Sequence, residues 1–150
     1  MKSCTRCAGR NVRRAVLDPG VLVSALITPS GPPAMLLAQA HEAGFEMIVS
    51  PLLLEELETV LLRKKFRRYA AVEEVEDYLV FVKRQGTLVP DPDQPAPVPC
   101  PDPDDEYLLA LAYAQKAVLV TGDLRLLEIG RGAPICGPAD FSVSSAPAVL

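Results

Sequence analysis

Two aspartates stand at the ends of short apolar runs, Asp18 directly and Asp123 after an intervening Thr-Gly, where their carboxylates could meet. Asp18 ends the segment RRAVLD and Asp123 ends the segment AVLVTGD. Both runs are rich in small and branched residues and lead into turn signals, as buried strands of a parallel sheet do. Ligands of such sheets bind outside the carboxyl ends of the strands. The sequence therefore predicts that both carboxylates lie at one edge of a sheet, in a position to form a site.

Two further acidic positions belong to helices that are predicted to begin at the same edge. Asp105 opens the helix that leads into the Asp123 strand, and Glu55 or Glu56 lies in the first turns of the helix after the strand FEMIVS. Carboxylates within about 5 Å of one another repel and raise each other's pKa, so such a cluster requires a cation. Mg²⁺ or Mn²⁺ is the expected ion, and its chemistry with phosphates predicts metal-dependent phosphodiester hydrolysis.

The histidine and the cysteines offer no alternative nucleophile. His41 is the single histidine, and its place near the end of a predicted helix favours a surface or capping role. The four cysteines show no disulfide-framework spacing, and the chain has neither a secretory signal nor a run of 18 apolar residues, which predicts a reduced, cytoplasmic protein. Cys4 and Cys7 form a CxxC motif, but a zinc site would also need Cys100 and Cys136 to converge on it.

Alternating helical and strand patterns supply the elements that must position the acids. Such alternation is typical of an α/β protein with a parallel sheet. The predicted strands are RRAVLD, FEMIVS, GTLVP and AVLVTGD, with APICGP as a candidate edge strand. The predicted helices are GVLVSALIT, PPAMLLAQAHEAG, PLLLEELETVLLRKKF, VEEVEDYLVFVKRQ, DDEYLLALAYAQKA and LRLLEIG.

Residues 90–105 form a segment with seven prolines, which we call the proline-rich loop. This density of proline is incompatible with regular secondary structure. Long loops in compact domains are often functional, and this one delivers Asp105.

Composition limits the kinds of nucleic-acid binding that the chain can support. Aromatic residues make up only 5% and tryptophan is absent, so the core must be aliphatic and a base-stacking single-strand binder is disfavoured. The net charge of −4 argues against binding through bulk electrostatics. Ten of the fifteen Lys and Arg residues nevertheless cluster, which indicates either a solvated face or a phosphate-contacting patch. They are Lys2, Arg6, Arg10, Arg13 and Arg14, and then Arg63, Lys64, Lys65, Arg67 and Arg68 of the basic segment, RKKFRR.

Three stretches resemble, in order, the successive motifs of PIN-domain ribonucleases, especially the toxins of toxin-antitoxin pairs, the VapC-like branch. They are VLDPGVLVSAL, VSPLLLEELETVLLRKKF and DPDDEYLLALAYAQKAVLVTGDLRLL, and the resemblance covers about residues 13–141. It implies a three-layer α/β/α fold with a central parallel sheet of four to five strands. It also implies a Mg²⁺- or Mn²⁺-dependent endoribonuclease.

The resemblance also selects the residues of the site. Glu56 is preferred to Glu55 because the acid of the family directly precedes a Leu, six residues after the Ser that opens the helix. Asp105 is preferred to Asp104 because DEYLLALA matches the spacing from the acid of the family to its Ala-rich turn. The implied metal-binding and catalytic residues are Asp18, Glu56, Asp105 and Asp123, with Ser24 and Thr121 assisting by hydrogen bonding.

The partners follow from the same resemblance. RNA is the expected substrate, with the basic segment and the N-terminal arginines as backbone contacts. An antitoxin protein and a second copy of the chain are the expected protein partners, and no membrane is expected. The expected organisation is a flexible leader over 1–12, a nuclease domain over 13–141 and a frayed tail over 142–150.

One departure from the pattern leaves a second interpretation open. In the family an Asn usually stands two residues after the first Asp, where this chain has Gly20, and Pro19 between them is rare. Loss of that amide predicts a weakened site or a non-catalytic module that binds RNA or protein. Taken singly, Asp18 and Asp123 are also compatible with capping the next turn, and Thr121 with a packing role.

Overall fold

A five-stranded parallel sheet forms the centre of the molecule, in a computed structural model that describes residues 13–42, 44–130 and 132–145. The strand order is β3-β2-β1-β4-β5. This arrangement confirms the predicted three-layer α/β/α class and the predicted number of strands. The strands are β1 (Arg14–Leu17), β2 (Glu46–Val49), β3 (Gly86–Leu88), β4 (Val118–Val120) and β5 (Ile135–Cys136).

Seven α-helices and two short 3₁₀ turns connect the strands in the described part of the chain. Helix α5 packs on β1 and β4, while α1 contacts α2 and α3, α2 contacts α7, and α3 contacts α4. The helices are α1 (Pro19–Ile27), α2 (Pro32–His41), α3 (Pro51–Leu61), α4 (Val72–Gln85), α5 (Glu106–Gln115), α6 (Leu124–Leu127) and α7 (Pro138–Ser145). The 3₁₀ turns are Lys64–Phe66 and Pro103–Asp105.

Strand β1 lies at the centre of the sheet and is buried on both faces. Ala15 pairs with Met47 of β2 on one side and with Val118 of β4 on the other. The largest fully buried side chains are mostly leucines, together with Met47, Ile48 and Phe141, as the low aromatic content predicts. The residue that follows β1 is therefore placed at the middle of the carboxyl edge.

Local capping fixes the start of the helices at this edge. Ser50 accepts a hydrogen bond from the Leu53 backbone N–H at 3.3 Å, and Pro51 occupies the first position of α3. The Asp91 carboxylate, at the start of the proline-rich loop, accepts a further bond from the Leu52 N–H at 3.2 Å. Near its middle, the loop donates the Ala96 N–H to Glu106 of α5 at 2.6 Å. The proline-rich loop is thus tied to both α3 and α5.

The ends of several elements differ from those predicted. Helix α3 ends at Leu61 and does not continue to Phe66, because Arg63 adopts an extended ψ of 143°. Helix α5 begins at Glu106, one residue after the turn that holds Asp105. Helix α7 was not predicted, and it runs to Ser145, across position 141 where the predicted domain ends. The leader predicted over 1–12, with Cys4 and Cys7, and residues 146–150 of the predicted tail lie outside the described residues.

None of the helices described here is long and apolar enough by itself to cross a membrane. The pair α1 and α2 meets the length and composition criteria jointly, but it is bent by 99° at its break.

Replacement of Gly86 by alanine is expected to destabilise the contact between β3 and β2. An added Cβ would lie 2.9 Å from both Cγ atoms of Val49 and 3.2 Å from the Val82 carbonyl oxygen. Valine has little rotamer freedom with which to avoid this clash, so a loss of about 1–3 kcal/mol in the free energy of unfolding is expected. The measurement is urea unfolding of Gly86→Ala.

The matched control is Gly122→Ala, since a Cβ at Gly122 would meet nothing within 4 Å. That variant should unfold at the same urea concentration as the parent or slightly higher. Equal stability of the two variants would contradict the predicted crowding at Gly86.

Candidate active site

A cleft of about 520 Å³ opens at the carboxyl edge of the sheet, and all four acids selected from the sequence line it. We call it the acidic cleft. Its acidic residues are Asp18, Glu56, Asp105 and Asp123, and Ser24 of α1 lines it as well. The rest of the lining consists of small and apolar residues, namely Pro19, Gly20, Val21, Pro33, Val60, Gly122 and Pro138.

Asp18 is the N-cap residue of α1, and both of its carboxylate oxygens are bound. Oδ1 accepts a hydrogen bond from the Gly20 N–H at 2.8 Å. Oδ2 accepts one from the Thr121 hydroxyl at 2.7 Å. The dipeptide Pro19-Gly20 thus starts the helix and supplies one of the two donors that orient the carboxylate.

Thr121 connects the ends of the two central strands. Its side chain is fully buried, and its hydroxyl, besides donating to Asp18, accepts the Asp123 N–H at 3.0 Å. The Asp18 N–H also donates to the Val120 carbonyl at 3.0 Å. The two strand-end aspartates are therefore held in a fixed relation to one another.

Asp123 is the N-cap residue of α6, and Arg125 interacts with it twice. Its Oδ1 accepts the Arg125 N–H at 2.9 Å, and its Oδ2 lies 3.5 Å from Nη2 of the same arginine. Nη2 also lies 3.3 Å from Oδ2 of Asp102 in the proline-rich loop. Hydrogen bonding to Asp123, reinforced by Asp102, raises the pKa of Arg125 above its usual range. Sequence reasoning missed Arg125, although its place two residues after a candidate ligand was visible.

Glu56, and not Glu55, faces the acidic cleft. The hydroxyl of Tyr107 on α5 donates to Glu56 Oε1 at 2.6 Å, which fixes the carboxylate. Burial, together with this hydrogen bond to Glu56, raises the pKa of Tyr107 far above its usual value. Glu55 is exposed and lines a separate groove with Glu58 and Glu76. Sequence reasoning also missed Tyr107, which no polar pattern distinguishes from the other aromatic residues on helices.

Asp105 is affected both by burial and by the negative charge of the neighbouring acids. Burial, followed by repulsion from Asp18, Asp102, Asp123 and Glu56, raises the pKa of Asp105 to about 6. Its neighbour Asp104 is exposed, and the Asp104 N–H donates to Asp102 at 3.0 Å. The structure thus places Asp105, and not Asp104, among the other acids.

The donor set of the acidic cleft fits a hard divalent cation. Within the described residues, no three His, Cys, Asp or Glu side chains are already arranged as a complete ligand cluster. Mg²⁺ does not require one, because it keeps several of its waters and is commonly bound by one or two carboxylates. The acidic cleft offers four carboxylates as oxygen ligands. A bound divalent cation would offset the repulsion that helps to raise the pKa of Asp105.

The basic segment lies away from the lining of the acidic cleft, around the 3₁₀ turn after α3. Arg63, Lys64, Lys65 and Arg68 are exposed there. Arg67 differs, because its Nη2 donates to the Leu61 carbonyl and its other guanidinium nitrogens are buried without a hydrogen-bond partner. The structure therefore presents four of the five predicted contacts at the surface and directs Arg67 to the end of α3.

The fold and the cleft define a parallel α/β protein whose acids meet at the carboxyl ends of two central strands. Residues 14–125 match the family model described as PIN domain, and the chain belongs to the PIN domain family. The uncharacterized protein MJ1680 of Methanocaldococcus jannaschii is 30% identical over 116 residues, which are 77% of this chain and 74% of that protein.

Two solved structures share the fold at low sequence identity. PAE2754 from Pyrobaculum aerophilum superimposes with a TM-score of 0.63 at 16% identity, over 98% of this chain and 99% of the other. VapBC2 from Rickettsia felis, which was crystallised bound to a DNA fragment from its promoter, superimposes with a TM-score of 0.60 at 15% identity. That match covers 83% of this chain and 98% of the other.

The raised pKa of Asp105 predicts a pH-dependent stability of the metal-free protein. A carboxyl with a pKa of about 6 in the fold, against 3.8 in the unfolded chain, stabilises the fold below pH 3.8 and loses that contribution as the pH rises through 6. After allowance for solvent screening, the free energy of unfolding should fall by about 1–2 kcal/mol across this range. Asp105→Asn should remove this part of the decline. The measurement is urea unfolding with chelator at several pH values.

Asp104→Asn is the matched control, because it removes an exposed neighbouring carboxyl and should keep the slope of the parent. If the free energy of unfolding fell equally with pH in the parent and in Asp105→Asn, Asp105 would not be the source of the decline.

Proposed function

We propose that this protein is a Mg²⁺- or Mn²⁺-dependent endoribonuclease. The observation that carries the proposal is the convergence of four acids on one cleft, where their repulsion helps to raise the pKa of Asp105. The four acids are Asp18, Glu56, Asp105 and Asp123. PIN domains are generally metal-dependent nucleases, and membership of that family agrees with this chemistry.

The four carboxylates would hold the metal, which supplies an activated water and charge stabilisation at the phosphorus. The other contributions come from the protein chain. Thr121 and Gly20 orient Asp18, Tyr107 orients Glu56, and the Arg125 N–H orients Asp123. Since groups that orient metal ligands strongly affect affinity and activity, these donors are part of the proposed machinery.

The RNA backbone would be contacted outside the acidic cleft. The exposed cations of the basic segment follow α3, the helix that carries Glu56. Lys and Arg contacts to phosphate position a nucleic acid without reading its sequence. The basic segment would therefore hold the strand near the cleft with little sequence preference.

A toxin of a toxin-antitoxin pair is the biological role that we propose. The likeness to VapBC2 supports it at the level of the fold. An antitoxin protein would then block the acidic cleft, and a second copy of the chain would complete a homodimer. Metal-independent binding of RNA or protein by the same fold is the alternative that the cleavage assay below decides.

The first test is RNA cleavage by the purified protein. We expect cleavage of mixed RNAs with Mn²⁺, its loss with chelator, and a loss of at least about 100-fold in Asp105→Asn, because loss of a group that only orients a metal ligand already costs about 10–100-fold. The measurement is product formation on denaturing gels.

Asp104→Asn serves as the control, since Asp104 is exposed and does not line the acidic cleft. Cleavage that survives chelator or Asp105→Asn would rule out the proposed mechanism. RNA binding without cleavage under every condition would establish the non-catalytic module instead.

The second test restores an amide at position 20. The Cβ of a residue at Gly20 would lie 3.5 Å from Asp18 Oδ1, an ordinary contact, so a side chain there can enter the acidic cleft without strain. Gly20→Asn should raise the cleavage rate by about tenfold, the low end of the range for groups that orient metal ligands. The measurement is the initial rate over a Mn²⁺ titration.

Gly20→Ala separates the amide from the mere presence of a side chain and should leave the rate unchanged. A decrease in rate in Gly20→Asn, with Gly20→Ala unchanged, would mean that the open position is needed for substrate access.

A further inference from the structure

Arg125 is a cation held at the rim of the acidic cleft by two carboxylates. Its Nη2 lies 3.3 Å from Asp102 Oδ2 and 3.5 Å from Asp123 Oδ2. Asp102 is itself oriented, because its Oδ1 accepts the Asp104 N–H at 3.0 Å. The two acids come from the proline-rich loop and from the end of the β4 segment, so the guanidinium bridges the two parts of the chain that deliver Asp105 and Asp123.

Most of the guanidinium remains available for another ligand. The Arg125 side chain is 58% exposed, and the hydrogen bonds and ion pairs that its guanidinium makes with the described residues all involve Nη2. A guanidinium carries five N–H donors in a planar fork that matches a phosphate bidentately. Nε and Nη1 can therefore donate to an anion without breaking the bridge.

The acidic cleft itself provides no such donor. Among the described residues that line it, none is Lys or Arg, whereas four carry carboxylates. An RNA strand that enters brings a phosphate for each nucleotide, and uncompensated like charges repel it. Arg125, which contacts Asp123 from outside this lining, places a cation beside these carboxylates.

We propose that Arg125 is a substrate-binding residue that contacts an RNA phosphate at the rim of the acidic cleft, while Asp102 and Asp123 hold its guanidinium in place. This assignment rests on the proposed endoribonuclease function and adds to it a contact outside the basic segment. A purely structural bridge would use Arg125 to tie the loop to α6 and would leave RNA affinity unchanged at equal folding. The two roles therefore differ in how RNA binding depends on salt.

The test measures RNA binding by the cleavage-deficient Asp105→Asn protein. Fluorescence anisotropy with a labelled mixed-sequence single-stranded RNA of about 15 nucleotides, enough to span a typical binding groove, gives the affinity with Mn²⁺ present. Repeating the titration from about 50 to about 200 mM NaCl gives the slope of log affinity against log salt, which counts phosphate contacts. The variants compared in this background are Arg125→Gln, Arg125→Lys and Arg84→Gln.

Arg84→Gln is the matched control, because it removes the same charge from an exposed position near the end of α4. Strand β3 begins two residues later, so Arg84 lies at the opposite edge of the parallel sheet from the acidic cleft.

Arg125→Gln should weaken RNA binding about five- to tenfold and reduce the magnitude of the salt slope by about 0.7, the loss of one contact to a single strand. Arg125→Lys should keep the slope and lose part of the affinity, since a lysine retains the charge but not the planar fork. Arg84→Gln should leave both the RNA affinity and the salt slope of the Asp105→Asn protein unchanged.

Equal affinity and slope in Arg125→Gln and Arg84→Gln, together with RNA cleavage by the parent protein that retains Asp105, would overturn the role of Arg125 and leave the proposed function intact. A reduced cleavage rate when Arg125→Gln is made in the parent protein, with an unchanged salt slope in the Asp105→Asn background, would assign the residue to the structural bridge alone. Failure of the parent protein to bind or cleave any RNA would overturn both proposals together.

Discussion

The hydroxyl of Thr121 makes the pair of hydrogen bonds on which the site depends. It donates to the Asp18 carboxylate and accepts the Asp123 N–H, so one buried side chain orients one acid and positions the backbone of another. Both acids follow central strands whose pairing is set by the sheet. The relative position of the two carboxylates is therefore determined by the most buried part of the fold and not by a surface loop.

The other two acids, Glu56 and Asp105, are held close to carboxylates that repel them. Glu56 is restrained by the Tyr107 hydroxyl, and Asp105 by the backbone of the turn before α5. Gathering like charges costs stability, and the raised pKa of Asp105 expresses that cost. Sites that bind cations commonly retain such unfavourable arrangements, because the ligand and not the fold relieves them. The raised pKa of Asp105 therefore agrees with the proposed cation site.

The sequence predicted the class of fold, the strands and the location of the acids, because burial patterns and strand-end aspartates are local signals. It did not predict the end of α3 at Leu61, because residues 62–71 contain no glycine or proline that would signal the end of a helix. Tyr107 and Arg125 were missed for a different reason. Their partners, Glu56 for the one and Asp102 for the other, are distant in sequence. Helix α7 was missed because its sequence, PADFSVSS, is short and carries no apolar repeat of helical spacing.

The two attachments of the proline-rich loop have a mechanical consequence. Asp91 is bonded to the first turn of α3, and Ala96 to the first turn of α5, so the loop acts as a strut between these two helices. Proline fixes φ, which limits the number of conformations that the strut can adopt. Glu56 lies on α3, four residues after Leu52, and Asp105 directly precedes α5. A partner that displaced this segment would therefore act on the starts of both helices, and through them on the carboxylates of Glu56 and Asp105, without contacting either carboxylate.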